Sequence, residues 1–164
     1  SVQQSSIMSK KDFYLILPSI RSGHNVGAMF RTGDAFGVTK IFLVGYTATP
    51  PHPKIDKVSL GAEQWVPWEK RVYLKPVVKR LKKQGVYLVG LEQSKDISDI
   101  VKFALPGAPE RSLALIVGNE VSGVRKDILK LCDAVVHIPI HGLKESLNVS
   151  VAAGIAMYVL KSKL

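Results

Sequence analysis

The sequence predicts one α/β domain built on a parallel sheet, and three observations lead there. Apolar runs at residues 13–17, 40–44, 86–91, 113–117 and 134–138 have the length of buried strands. Segments of helical period lie between them, and the chain opens strand, helix, strand, the pattern of a parallel crossover unit. A length of 164 residues, 46% hydrophobic and 22% charged, suffices for one core without staples, and no repeat or linker divides it.

Residues 1–9 are polar and patternless, and are expected to be a disordered lead-in or a cloning remnant, leaving 10–164 as the domain. The first run ends at Pro18; Ser22, Gly23, His24 and Asn25 then supply a turn and cap for a helix over 26–36, stopped by Gly37. After the second strand, residues 45–64 read as a long connection rich in proline, of a length that is often functional. A short strand is expected at 65–68. The next helix, 75–84, carries Pro76 in its first turn and stops at Gly85. It packs Val77, Val78 and Leu81 and turns Lys79, Arg80, Lys82 and Lys83 outward, as a solvated face or an RNA-contacting one.

Past the strand at 86–91 come Glu92, Gln93 and Ser94, then a helical pattern over 97–105 and a strand at 113–117. A helix is predicted over 124–131 and the last strand at 134–138. The final helix shows apolar residues at 147, 151, 155 and 159, with Ala152, Ala156 and Leu160 alongside, which predicts one buried face.

A formal charge of +10 and a pI near 9.8 favour a polyanionic partner, through phosphate contacts and counterion release, without naming the polymer. Cys132 is the sole cysteine, which excludes an internal disulfide and fits a reducing compartment, the cytoplasm; it is expected in the core. No apolar run is long enough to cross a bilayer, and no signal-peptide pattern is seen. His137 and His141 are separated by Pro139 and joined by no carboxylate or cysteine cluster, so no metal is expected.

Three segments carry more than structure. From Asn25 to Gly33, a helical pattern accepts Gly27 and Gly33 at about 1 kcal/mol each, which predicts a backbone or ligand close by. Arg31, among apolar neighbours, is expected to be semi-buried, held by an anionic ligand or by Asp34 or Glu120. The second segment, Gly118, Asn119, Glu120 and Gly123, is a glycine-rich turn after a strand, where α/β sheets bind ligands. It is not a phosphate loop, since Val124 and Arg125 replace the required Lys-Ser/Thr pair, and it holds no dinucleotide glycine triplet. Glu120 has three open roles: general base, ligand contact, or helix-start carboxylate. The third segment runs from Ile138 to Ser150, where Ser146 and Asn148 either cap the last helix or join its free N–H groups in facing a ligand.

Taken in order, these segments resemble the motifs of the SpoU family of RNA ribose 2′-O-methyltransferases, within the SPOUT superfamily. The resemblance rests on Asn25, Gly27, Arg31 and Thr32, on Val117 to Glu120 with Gly123, and on Ile138 and Pro139 with Ser146 to Ser150. The stretch from Leu60 to Trp65 resembles members that modify transfer RNA. The family likeness implies a parallel-sheet α/β-knot domain with a C-terminal trefoil knot, a homodimer, S-adenosylmethionine as cofactor, and tRNA or rRNA as substrate. By position, Leu91, Gly118, Ile138 and Leu147 would contact the cofactor. Arg31, Asn25, Glu120, Ser146 and Asn148 would be the substrate and catalytic residues. Within these 164 residues no stretch resembles the N-terminal RNA-binding domain of some relatives, so RNA capture is expected to rest on the basic surface of this domain or on a partner. Two rival readings stay open: an RNA-binding module with a degenerate site, and an α/β enzyme using another nucleotide.

Overall fold

Phe13–Pro18 forms the first strand, β1, and Lys40–Val44 the second, β2, with helix α1, Gly23–Ala35, crossing between them. The computed structural model describes residues 11–94 and 96–164, so the lead-in expected at 1–9 falls outside the described residues. Next come β3 (Trp68–Arg71), β4 (Tyr87–Leu91), β5 (Ser98–Asp99), β6 (Leu113–Ile116) and β7 (Ala134–His137). Among the described residues these seven strands form one parallel sheet in the order β3-β2-β1-β6-β4-β7-β5.

Period-2 alternation divides the strand residues between two cores. Leu15, Leu17, Leu43, Val89 and Leu115 face α1 and the last helix, α5 (Val149–Lys161), while Ile16, Phe42, Val44, Leu88 and Ile116 face α3 (Leu74–Lys83). Helices on both faces explain why the strands read as continuous apolar runs. Each fully buried aliphatic side chain contributes about 1.5–3 kcal/mol.

Four expectations need correction. The proline-rich connection contains a helix, α2 (Pro53–Ser59), started by Pro53 in its first turn and capped by the His52 side chain accepting from Lys54 N–H. The third strand begins at Trp68 rather than Trp65, because Trp65 ends a 3-10 turn and donates its indole N–H to Asp34 at 2.8 Å. In place of a helix over 97–105, the two-residue β5 pairs with β7, and Asp99 then caps a 3-10 turn by accepting from Val101 N–H. The helix predicted over 124–131 shrinks to α4, Lys126–Leu129, since Gly123 sits at φ +68° and Arg125 is extended at ψ 139°.

A fifth correction concerns α5. Its buried face is Ala152, Ala153, Ala156, Met157 and Leu160, whereas Val151, Ile155 and Tyr158 are left exposed, and Leu147 lies before the helix begins. Small residues permit close approach to α1: Thr32 lies 3.2 Å from where a Cβ on Gly154 would stand, and the Phe36 and Tyr158 rings meet at 5.5 Å. Gly27 behaves as predicted, with the Ile55 carbonyl of α2 only 2.5 Å from its would-be Cβ; Gly33 meets the Val38 and Ile41 side chains at ordinary distance. Cys132 is partly buried against Gly90, and burial pushes its thiol up to about 11.

On β3, Glu69 accepts from Arg71, Lys40 and Arg80 at 2.6, 3.1 and 3.2 Å. The Arg71 guanidinium leads these cations in overcoming burial and pulls the carboxyl to about 2 from an ordinary 4.5. A carboxylate depressed in the folded state stabilises fully above its unfolded value, and that contribution disappears as pH falls toward the folded one. Urea midpoints measured from above pH 4.5 down to about 2 should therefore fall less steeply for Glu69→Gln than for the wild type. Parallel acid limbs would show that the cluster has no such role.

Candidate functional site

The sheet grows outward from β1 to β2 and β3, then resumes on the other side of β1 with β6 and β4. Ligands of such sheets bind outside the carboxyl ends of the strands, where the order reverses. A cleft of about 540 Å³ lies there, lined by Leu91, Glu92, Gly118, Glu120, Leu147 and Asn148 among others. Its size falls within the range of small-molecule sites, roughly 300–1,000 Å³.

The 118–123 loop forms one wall. Asn119 and Gly123 exchange backbone hydrogen bonds of 3.2 and 3.0 Å, which folds the loop back on itself. Only glycine fits at 118, because a Cβ would lie 2.6 Å from the Gly123 carbonyl carbon. The Asn119 side chain accepts from Val121 and Ser122 N–H and donates to the Ser19 carbonyl at 2.6 Å, tying the loop to β1. Opposite, the Glu92 carboxylate accepts from Gln93 N–H at 3.1 Å and Val124 N–H at 3.3 Å.

At the mouth, three remote segments join in a hydrogen-bonded chain. Glu120 accepts from Arg21 N–H at 3.0 and 2.9 Å, from Ser22 N–H at 3.1 Å and from the Asn25 amide at 3.3 Å. Asn25 in turn accepts from the Asn148 amide at 3.3 Å. The Asn148 carbonyl oxygen caps α5 by accepting from Ser150 N–H at 2.9 Å and Val151 N–H at 3.4 Å. Asn25 is free for this because α1 starts three residues earlier than predicted, with Ser22 as its cap. Burial pushes the Glu120 carboxyl up, but the N–H groups of Arg21 and Ser22 and the Asn25 amide outweigh it and hold it below the usual range. So placed, Glu120 is an ionised anchor for the start of α1, poorly suited to accept a proton near neutral pH.

Of the predicted cofactor contacts, Leu91, Gly118 and Leu147 line the cleft, and Ser146 lines it with them. Ile138 does not; it is 9% exposed, and the hollow beside it is shared with Gln93, Ser94 and Leu143. Arg31 departs most from expectation. It is exposed rather than semi-buried, and neither predicted carboxylate holds it, since Asp34 takes Trp65 and Glu120 takes the α1 start. It stands six residues beyond Asn25, about 9 Å along the axis, and helical side chains lean back toward the N-terminus. Glu92 and Gln93 also line the cleft but were not singled out in the sequence; their place at the carboxyl end of a strand was the available signal. His137 Nδ1 lies 3.1 Å from the Ser98 carbonyl, and among the described residues no three His, Cys, Asp or Glu gather to hold a metal. No described helix is long and apolar enough to cross a membrane.

Residues 12–158 match the profile of the SpoU rRNA Methylase family. The chain is 35% identical over 150 residues to 23S rRNA (guanosine-2′-O-)-methyltransferase RlmB of Neisseria meningitidis, covering 92% of this chain and 58% of that protein. It therefore spans less than two thirds of that relative's length. A crystal structure of a TrmH/SpoU tRNA modifying enzyme from A. aeolicus superposes with a TM-score of 0.81 at 28% identity, over 95% of this chain and 77% of the other. The AdoMet-bound rRNA methyltransferase of Sinorhizobium meliloti gives a TM-score of 0.84 at 25% identity, over 96% and 58% of the two chains.

Proposed function

Because the chain belongs to the SpoU rRNA Methylase family, we propose that it transfers a methyl group from S-adenosylmethionine to a ribose 2′-hydroxyl of tRNA or rRNA. The observation that carries this reading is the chain of hydrogen bonds from Glu120 through Asn25 to Asn148, which sets polar groups of three motifs at the mouth of one cleft. The cleft fits the cofactor in size, and Gly118, bare of a Cβ, lets the Gly123 and Val124 backbone close against it to form the cleft wall. Leu91, Gly118 and Leu147 would hold the cofactor there. When bound, S-adenosylmethionine supplies an electrophilic methyl carbon on a sulfonium.

The residues of this chain have then to align the hydroxyl and remove its proton. Alignment of nucleophile, carbon and leaving sulfur supplies much of such a rate. Asn25, Ser146 and Asn148 orient the ribose. Glu120 fixes Asn25 and is not the base, because N–H donors occupy its oxygens and its pKa is depressed. A guanidinium is too weak a base for the task. Arg31 instead grips the adjacent phosphate, favours the ionised hydroxyl by its charge, and leaves the proton to that phosphate or to water.

Two further parts of the reading concern assembly. A trefoil knot is supported by the sheet order, in which β7 lies between β4 and β5, strands that follow one another in the chain. Gln93 and Ser94 line one hollow with Ile138 and Leu143, a proximity that supports the same reading. A homodimer is supported by the exposed Val151, Ile155 and Tyr158 along α5, an apolar stripe that a second copy would cover. Its place of work would be the cytoplasm, with the RNA.

Calorimetry with S-adenosylmethionine tests the first half of the proposal, and micromolar binding is expected. Tritiated methyl transfer onto bulk tRNA or rRNA, with mapping of the labelled ribose, tests the second. RNA binding without cofactor binding would favour the degenerate module instead.

A further inference from the structure

On the far side of the 119–123 loop lies a second cleft, of about 690 Å³, at the carboxyl ends of β1 and β2 and the start of α3. None of the residues assigned to methyl transfer lines it. It shares only Asn119, Ser122 and Gly123 with the cofactor cleft, so a wall one loop thick separates the two.

Three large side chains stand in water here: Tyr46, Val72 and Tyr73, at 63%, 68% and 73% exposure. Lys75, Lys79 and Arg125 join them, and no carboxylate lines the cleft. Arg125 is partly engaged by Asp127 at 2.6 Å, while the ion pairs of the described residues leave Lys75 and Lys79 out. Tyr46 is held in place by its hydroxyl, which accepts from the Asn119 amide at 2.9 Å. At the floor, Ser19 is held at φ +50°, unusual for a residue with a side chain, by donating its N–H to the Val44 carbonyl at 2.9 Å and accepting from Asn119.

Exposed rings with cations and no acid match the chemistry of single-stranded nucleic-acid sites, where bases stack on aromatic faces and lysines meet phosphate. We infer that this cleft takes an unpaired nucleotide flanking the one that is methylated, its base on Tyr46 and Tyr73 and its phosphate at Lys75 and Lys79. The inference rests on the transferase reading of the adjoining cleft. Stacking is tolerant of base identity, so the cleft selects an unpaired neighbour rather than a particular letter. Asn119 buttresses both clefts, donating to the Ser19 carbonyl and to the Tyr46 hydroxyl.

The test is fluorescence anisotropy of the full chain with a labelled oligouridylate, beside calorimetry with S-adenosylmethionine. Tyr73 makes no capping bond to α3, so its replacement leaves the fold alone. Tyr73→Ala should weaken oligouridylate binding about tenfold, and Tyr73→Phe should restore it. Lys79→Ala should weaken binding and lower the salt slope by about one. Cofactor affinity should stay at the wild-type value throughout. Unchanged oligouridylate affinity in Tyr73→Ala, with cofactor binding intact, overturns the cleft and leaves the transferase reading standing. Failure of the wild type to bind the cofactor, with RNA affinity still dependent on Tyr73, overturns the transferase reading instead. Shielding of Tyr46 and Tyr73 by a second copy, seen by hydroxyl-radical footprinting of protein alone, also overturns the inference.

Discussion

A protein carrying Arg31→Ala is expected to fold, to bind S-adenosylmethionine as the wild type does, and to transfer methyl groups about a thousandfold more slowly, a loss near 4 kcal/mol of barrier stabilisation. The fold is spared because Arg31 is exposed and belongs to no ion pair among the described residues. Exposed substitutions of this kind usually shift stability by no more than about 0.5 kcal/mol. Cofactor binding is spared because Arg31 does not line the cleft. The whole effect should therefore appear in turnover with saturating cofactor. Arg31→Lys should recover little, since an ammonium is a point charge and cannot grip a phosphate with a planar fork. Single-turnover methylation of the mapped RNA gives the measurement. Activity near wild type in Arg31→Ala would remove Arg31 from the reaction.

Gly118→Ala should do the reverse and weaken cofactor binding by roughly ten- to a hundredfold, the effect of about 1–3 kcal/mol of overpacking in the cleft wall. The new Cβ would stand 2.6 Å from the Gly123 carbonyl carbon, 2.7 Å from its Cα and 2.9 Å from Val124 N. All three are backbone atoms, so no side chain can swing aside. The loop cannot yield easily at Gly123, whose φ is +68° and whose own would-be Cβ meets Glu92 Oε1 at 2.9 Å. Gly142→Ala is the matched control, since nothing lies within 4 Å of its would-be Cβ, and it should leave affinity unchanged. Calorimetry on the pair decides the matter: equal affinities would mean that the cofactor does not lie against the 118–123 loop.

Much of the site was legible before the fold was known. Asn25, Glu120 and Asn148 were expected to act together, and they stand in one hydrogen-bonded chain although 95 and 123 residues separate the linked pairs. Small polar residues and glycines beside strand ends are visible in sequence because only certain residue types permit those turns. Gly27 was legible for the same reason, as a helical glycine that had to admit another backbone. Arg31 was misjudged because apolar neighbours along the chain say little about which side of a helix is covered. The long proline-rich connection hid α2, because its prolines read as turn formers although Pro53 stands in a first turn, where the missing N–H costs nothing.

The final helix marks the boundary most clearly. Its sequence carries two adjacent apolar stripes, one through Val151 and Ile155 and one through Ala152 and Ala156, and both satisfy a helical period. Only packing chose between them: α1 can approach closely over alanines and Gly154, which leaves the bulkier stripe in solvent. The sequence by itself determined the parallel α/β class, most of the strands and the residue types of the site, since these follow from local backbone preference and period. The tertiary structure alone decided which faces are covered, that Glu120 anchors α1 rather than standing free as a base, and that Tyr46 and Tyr73 share a second cleft. Those outcomes depend on contacts between segments far apart in the chain, and no local pattern encodes them.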